Sequence, residues 1–221
     1  MESTALTTTT PQGVFSGIAA FENAQRMAKS LASSTLVPTA FQGQQGFANC
    51  LVALEIAGRM GISPFLAMQH LHVIHGRPSW SSSFIIAMVN GCGRFSPLRF
   101  EISGSGDSLA CYAVSTDLAS KQELKGPVIT MAMAKKEGWA TKAGSKWITM
   151  PELMIRYRAA AFWGRLYASD LLLGVQSQEE VIDVQEVTVT EAPAVASIDA
   201  LNAKLQQPAA VIEEVAEDDI F

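Results

Sequence analysis

The chain has 221 residues, of which 48% are hydrophobic and 17% charged, with a formal net charge of −5. That is enough for one domain with tails, marginal for two, and sufficient apolar matter for a sizeable core. Glu55, Arg59, Arg77 and Arg94 interrupt every apolar stretch before the roughly 18 residues a membrane span needs. The start, Met1-Glu2-Ser3-Thr4, has neither the basic head nor the apolar core of a secretory leader, so a soluble protein with no membrane partner is expected. Cys50, Cys92 and Cys111 are odd in number and lack a CxxC spacing, which fits a reducing compartment and free, mostly buried thiols.

The net charge conceals a segregation. Residues 1–178 carry 15 Lys and Arg against 10 Asp and Glu, whereas residues 179–221 carry one Lys against 11 acids. Within the body, residues 121–165 hold nine basic and three acidic side chains, a concentration expected of a phosphate-binding track.

In chain order, Thr-rich residues 1–13 read as a disordered arm. Phe21, Ala24, Met27, Ala28 and Leu31 have helical spacing within 15–34, and Pro38 closes that region. A second helix is predicted over 44–60, with Gly61 just past its end. Ser63-Pro64 reads as cap and first residue of a short helix to about Gln69. Leu71 to Ile74 is β-prone, 75–78 is a turn and 79–81 a returning strand, giving a hairpin. A buried helix over 84–91 ends at Gly91-Cys92-Gly93. Strands are predicted over 98–103, 110–116 and 125–131, as an antiparallel meander. A short helix over 130–138 and a basic loop over 138–146 follow. Thr149 and Glu152 have capping-box spacing for the longest helix, to about Asp170, which is apolar nearly all round and so enclosed by protein. Residues 177–221 read as an acidic flexible tail. The fold class expected is α+β: a hairpin and antiparallel β-meander packed with helices in a single core domain, 14–176, between disordered tails.

Lys135, Lys136, Lys142 and Lys146 interleave with Trp139 and Trp147. Single strands need cations along the backbone and flat side chains on which bases stack, each stacked base being worth roughly 1–3 kcal/mol. The alternative is a solvated lysine loop anchored to the core by its tryptophans. Arg158 and Arg165 are seven apart and share a helix face; an enclosed helix requires such groups to have acidic partners or phosphate, and the body is poor in acids. Arg156, by contrast, has Glu152 one turn before it, the spacing of an ordinary salt bridge. Arg77 and Trp80 stand at the hairpin, and Arg94 at the turn after the buried helix.

His70, His72 and His75, all the histidines of the chain, form H-x-H-x-x-H. Two histidines at i, i+2 on a strand share a face and could bind zinc, so a metal-dependent enzyme is a rival; polar hairpin residues are the plainer reading, since no carboxylate lies between Glu55 and Glu101. No phosphate-binding G-x-x-x-x-G-K-[ST] is present, which argues against an ATP-driven motor, and Ser81-Ser82-Ser83 lacks the G-x-S-x-G context of a hydrolase nucleophile. The last residues are acidic and end in Asp218-Asp219-Ile220-Phe221. Phe can fill an apolar pocket whose basic rim meets the acids, as the tip of bacterial single-strand-binding proteins does. An adaptor that only presents this tip, or a merely solubilising tail, are the alternatives.

Residues 37–174 resemble the phage and prophage RecT recombinase family. The likeness is carried by Leu36-Val37-Pro38, by Leu54-Glu55-Ile56-Ala57 with Met60-Gly61-Ile62-Ser63-Pro64, by 74–81, by 92–98 and by Pro151 to Phe162. It implies an α+β core assembling into rings or helical filaments. It implies binding of single-stranded DNA and annealing of complementary strands without ATP or bond chemistry, so a recombinase and not an enzyme in the usual sense. No cofactor is required, and Mg²⁺ enters at most as a modulator. The implied partners are a phage exonuclease and, through the C-terminal tip, host single-strand-binding-protein partners, in the cytoplasm of a bacterial host cell. The motif matches carry over Arg77, Trp80, Arg94, Arg156 and Arg158 as DNA-binding residues; Lys135, Lys136, Lys142, Lys146, Trp147 and Arg165 join them from the residue pattern alone.

Overall fold

The computed structural model describes residues 13–183. Residues 1–12 of the expected arm over 1–13, and the expected tail beyond residue 183 with its tip Asp218-Asp219-Ile220-Phe221, lie outside them. Helices α1 (Ile18–Ala32), α2 (Gly43–Met60) and α3 (Pro64–His70) lead into strands β1 (Leu71–Ile74) and β2 (Arg77–Trp80), then helix α4 (Ser82–Gly91). Strands β3 (Arg99–Ser103), β4 (Ala110–Thr116), β5 (Glu123–Lys125) and β6 (Ile129–Thr130) follow. Helices α5 (Met131–Lys136), α6 (Lys146–Thr149), α7 (Pro151–Tyr167) and α8 (Gln178–Asp183) complete the described chain. The protein is a mixed α+β domain with small antiparallel sheets.

Local chemistry explains the first half. Ala24, Ala28 and Ala32 repeat every four residues and are the buried residues of α1. In α2, Gly46 sits against the turn before it: a Cβ there would lie 2.2 Å from the Phe41 carbonyl carbon. That helix ends in a Schellman closure, with Gly61 at φ 65°, its N–H donated to Gly58 O, and Ile62 N–H donated to Ala57 O. No single helix among the described residues is long and apolar enough to cross a membrane; α2 and α3 pass that test only together, across a 112° bend.

The β1–β2 hairpin is tighter than predicted. Ile74 pairs with Arg77, so the turn is only His75-Gly76, at φ 49° and 72°. Positive φ at both central residues is the type I′ arrangement that matches strand twist, and it moves Arg77 and Pro78 into β2. In the second sheet β4 is central, flanked by β3 on one side and by β5 and β6 on the other. The strand predicted over 125–131 is therefore two. Pro127 has no N–H to give the ladder, Gly126 donates to Ala113 O at 2.9 Å, and Met131 already opens α5, capped by Thr130 Oγ1 accepting from Met133 N at 3.0 Å.

Helices α4 and α7 stand between two apolar clusters. One gathers Ala28, Phe41, Leu54, Met68, Trp80, Phe84 and Ile85 from the first half. The other gathers Val89, Phe95, Cys111, Ile129, Trp147, Ile155 and Trp163 around the four-stranded sheet. Close approach at α7 needs Gly164, where a Cβ would come 2.9 Å from Leu172 Cδ1 and 3.2 Å from Ile85 Cγ2.

Two boundaries are corrected. Thr149 does not cap α7: it ends α6, and Met150 precedes α7 with no side-chain cap bond. Nor does the fold stop at 176. Trp80 N donates to Gln176 O at 2.8 Å, Ser177 forms a parallel bridge with Trp80, and α8 follows. Ser177 and Glu180 cap one another, Ser177 N–H donating to Glu180 Oε2 at 3.0 Å and Glu180 N–H to Ser177 Oγ at 3.2 Å. Ser177-Gln178-Glu179-Glu180 is thus a capping box, a signal present in a segment whose composition suggested only a tail.

Candidate functional site

The basic loop over 137–145 is held by its own side chains. Ser145 Oγ donates to Trp139 O at 2.6 Å and accepts from Trp147 N at 3.3 Å, starting α6. Trp139 and Trp147 turn inward, with ring centroids 5.4 Å apart, and both are buried. Arg158, only 3% exposed, lays its guanidinium 3.9 Å from the Trp139 ring centre and 5.8 Å from that of Phe162. Arg165 lies at the same distance, 5.8 Å, from the Phe162 ring centre. A desolvated cation over an aromatic face is worth about 2 kcal/mol, so the Trp139 ring fixes where the buried Arg158 guanidinium lies. The shared face read from the spacing of Arg158 and Arg165 is present.

Lying against that face is α8. Arg158 Nη2 donates to Glu179 O at 3.4 Å, Lys142 Nζ to Ile182 O at 2.6 Å, and Arg165 pairs with the Glu180 carboxylate. Ser82, at the start of α4, donates to Glu179 Oε2 at 2.5 Å. Beside α8 opens a cleft of about 400 Å³, lined among others by Lys142, Lys146, Trp147, Met154, Tyr157 and Glu179. Lys146 is exposed at its rim. The shortage of acids in the body had suggested that Arg158 and Arg165 await phosphate; in this structure the acidic segment just beyond the expected core boundary meets them instead.

The other expected contacts do not join this cleft. Trp80 is fully buried, donates its indole N–H to Leu172 O at 3.2 Å and packs on Phe84, so it has no face for a base. Trp147, 1% exposed, is likewise a core residue; its indole N–H meets no acceptor among the described residues. Arg94 pairs with Asp170 at 2.9 Å, beyond the C-terminal end of α7. Lys135 pairs with Asp107 at 2.6 Å, and Lys136 is exposed on the same short helix. Arg156 pairs with Glu152 at 3.6 Å, as the i, i+4 spacing suggested, on a face turned toward β4. Arg77 is exposed directly after the hairpin turn. The expected continuous track of cations is thus resolved into Lys142 and Lys146 at the cleft, Arg158 and Arg165 on the α7 face that α8 covers, and scattered, mostly paired residues.

The histidines do not form a site. His70 ends α3 instead of lying on the strand, so the i, i+2 argument fails; its Nδ1 lies 3.1 Å from Ser81 Oγ and its ring stacks on Phe84. His75 is in the turn. His72 is half-buried, and burial lowers its pKa, against a smaller opposing pull from Glu179. Among the described residues no three His, Cys, Asp or Glu come together as a metal ion would require. Burial also raises the Cys50 thiol and pushes Cys111 up to about 11.

Compared with protein-family models, with curated proteins and with solved structures, the chain has no significant match in any of the three.

Proposed function

We propose that this protein binds single-stranded DNA and anneals complementary strands without ATP, as a phage recombination protein. The observation that carries the reading is that Lys142, Arg158 and Arg165 all reach the one short helix α8, with Lys146 and Tyr157 lining the cleft beside it. The likeness to RecT-type proteins supports it through the ordered motif series alone. Phosphates ask for such cations, and bases for flat side chains at the groove edge, where Tyr157 is only half-buried.

No bond is made or broken in the proposed cycle. Subunits neutralise the phosphates of one strand and leave its bases facing outward, so a second strand approaches against less repulsion. Pairing is downhill by about 1.4 kcal/mol per base-pair step and needs no nucleotide fuel. Assembly into rings or filaments would lay many clefts along one strand, with an exonuclease supplying the single strands and the C-terminal tip engaging host partners. The exposed pairs Arg94–Asp170, Lys135–Asp107 and Arg156–Glu152 do not oppose this, because surface ion pairs are worth only about 0–1 kcal/mol and yield to a polyanion.

The test is annealing of complementary oligonucleotides by the purified full chain, without ATP, across a salt series. Annealing faster than the spontaneous rate at low salt is expected, slowed by Lys146→Ala. A rate equal to that of the DNA alone at every salt concentration sinks the proposal.

A further inference from the structure

Four acceptor groups of one six-residue helix, α8, answer donors from α4, α7 and the basic loop. The Glu180 carboxylate meets Arg165, the Glu179 carbonyl meets Arg158, the Ile182 carbonyl meets Lys142, and the Glu179 carboxylate meets Ser82. We infer that this ground is a binding site for the phosphate backbone of single-stranded DNA. In the free protein α8 fills it, and the strand must displace α8 to enter. The inference rests on the DNA-binding reading and names how that site is regulated.

The chemistry of the contacts fits the exchange. Guanidinium, ammonium and hydroxyl groups that donate to carboxylate and carbonyl oxygens donate to phosphate oxygens in the same way, and guanidinium does so best where its planar fork is held in place. Trp139 and Phe162 hold Arg158 independently of α8, so its guanidinium keeps its position when the helix leaves. Arg158 is 3% exposed with α8 in place; no phosphate reaches it otherwise.

The segment is also built to detach. A helix of six residues does not persist alone in water, so α8 depends on its seat. Its apolar anchor is slight: Val181 is buried, but Ile182 is 48% exposed. Upstream, the backbone is fixed by the Trp80–Gln176 hydrogen bond and the Trp80–Ser177 bridge, which puts the hinge at Ser177. Once lifted, Glu179 and Glu180 move away with the helix, so the strand does not have to enter beside two carboxylates. The cleft then loses its α8 wall of Gln178, Glu179 and Ile182 and becomes an open groove.

The test uses the full chain. Hydrogen exchange is followed by mass spectrometry with and without an oligothymidylate, and oligonucleotide affinity is measured by fluorescence anisotropy for wild type, Glu180→Gln and, as a charge control outside the cleft, Glu101→Gln. Exchange in the peptide spanning 177–183 is expected to rise on binding. Glu180→Gln is expected to bind about tenfold more tightly, the factor gained when a site open one-tenth of the time is held open, with Glu101→Gln gaining much less. Should DNA bind while 177–183 stays protected, or should Glu180→Gln gain no more than the control, α8 is no gate and the DNA-binding reading survives. The wild-type exchange experiment decides even if Glu180→Gln fails to fold. If neither wild type nor Glu180→Gln binds the oligonucleotide at low salt, both inferences fall together.

Discussion

Lys146 offers the cleanest measure of the cleft's electrostatics. It is exposed, and α6 is capped by Ser145, so Lys146→Ala removes a charge without loosening the loop. With Lys142 at the same cleft and with Arg158 and Arg165 under α8, it makes four cations for a strand to meet. Each phosphate neutralised releases condensed counterions from the DNA, so four contacts on a single strand give a slope of log affinity against log salt of roughly −2.8. Between 50 and 200 mM salt the affinity should then fall about 50-fold, and in Lys146→Ala, with a slope of roughly −2.1, about 18-fold. Anisotropy of a labelled oligonucleotide of one-subunit length, titrated at four or five salt concentrations, reads both slopes. A wild-type slope shallower than about −1, or one that Lys146→Ala leaves unchanged, would refute the assignment of this cleft to phosphate.

Three further outcomes concern the scaffold. Gly46→Ala places a methyl 2.2 Å from the Phe41 carbonyl carbon, so stability should drop by about 2–4 kcal/mol in urea titration; an unchanged midpoint would mean that α2 starts elsewhere. Burial holds the His72 pKa below its ordinary value of 6.5. The unfolded chain therefore takes up a proton first as pH falls, and stability that is intact above 6.5 is lost progressively below it, down through the folded pKa. The melting temperature between pH 7 and pH 5 should fall less steeply in His72→Asn than in wild type. Finally, iodoacetamide at pH 8 should leave Cys111, whose thiol is pushed up to about 11, and the buried Cys50 unlabelled in the native state and label both on unfolding; native labelling of Cys111 in peptide maps would contradict its place under β3 and α7.

How far the fold was legible follows from which signals were local. Gly61 after α2 and Ser63-Pro64 before α3 are decided within a few residues by the backbone, and the structure has these boundaries where the sequence put them. The strand predicted over 125–131 failed because its apolar run hid Pro127, whose missing N–H interrupts the ladder whatever the side chains prefer. Thr149 and Glu152 had the spacing of a capping box and formed none, because Thr149 was taken by the turn of α6. Ser177 and Glu180 had the same spacing and did form one, in a stretch whose acidity had suggested no structure at all. A four-residue motif cannot say which of two copies will find a surface to pack on; that is settled by Trp80 and β2, nearly a hundred positions earlier.

The candidate site was legible in its demands more than in its contents. An aromatic beside a lysine reads alike whether it stacks on bases or plugs the core, and the choice depends on which way the loop folds. Here Ser145 binding Trp139 O turns both tryptophans inward, where Trp139 positions Arg158 and Trp147 packs beside it. The requirement that Arg158 have partners followed from burial alone, since an unpaired guanidinium inside protein costs several kcal/mol; Arg165 is half exposed and is under no such demand. The error was in where the acids were counted. Within 14–176 they are few, but Glu179 and Glu180 stand just past that limit, and the segregation of charge along the chain is what brings an anionic segment onto a cationic face. Under the proposed DNA binding, a protein that keeps a buried arginine for a polyanion must satisfy it in the polyanion's absence. A short acidic helix tethered at Ser177 would do so at high local concentration, yet with few enough contacts to yield to a strand that offers a phosphate at every nucleotide.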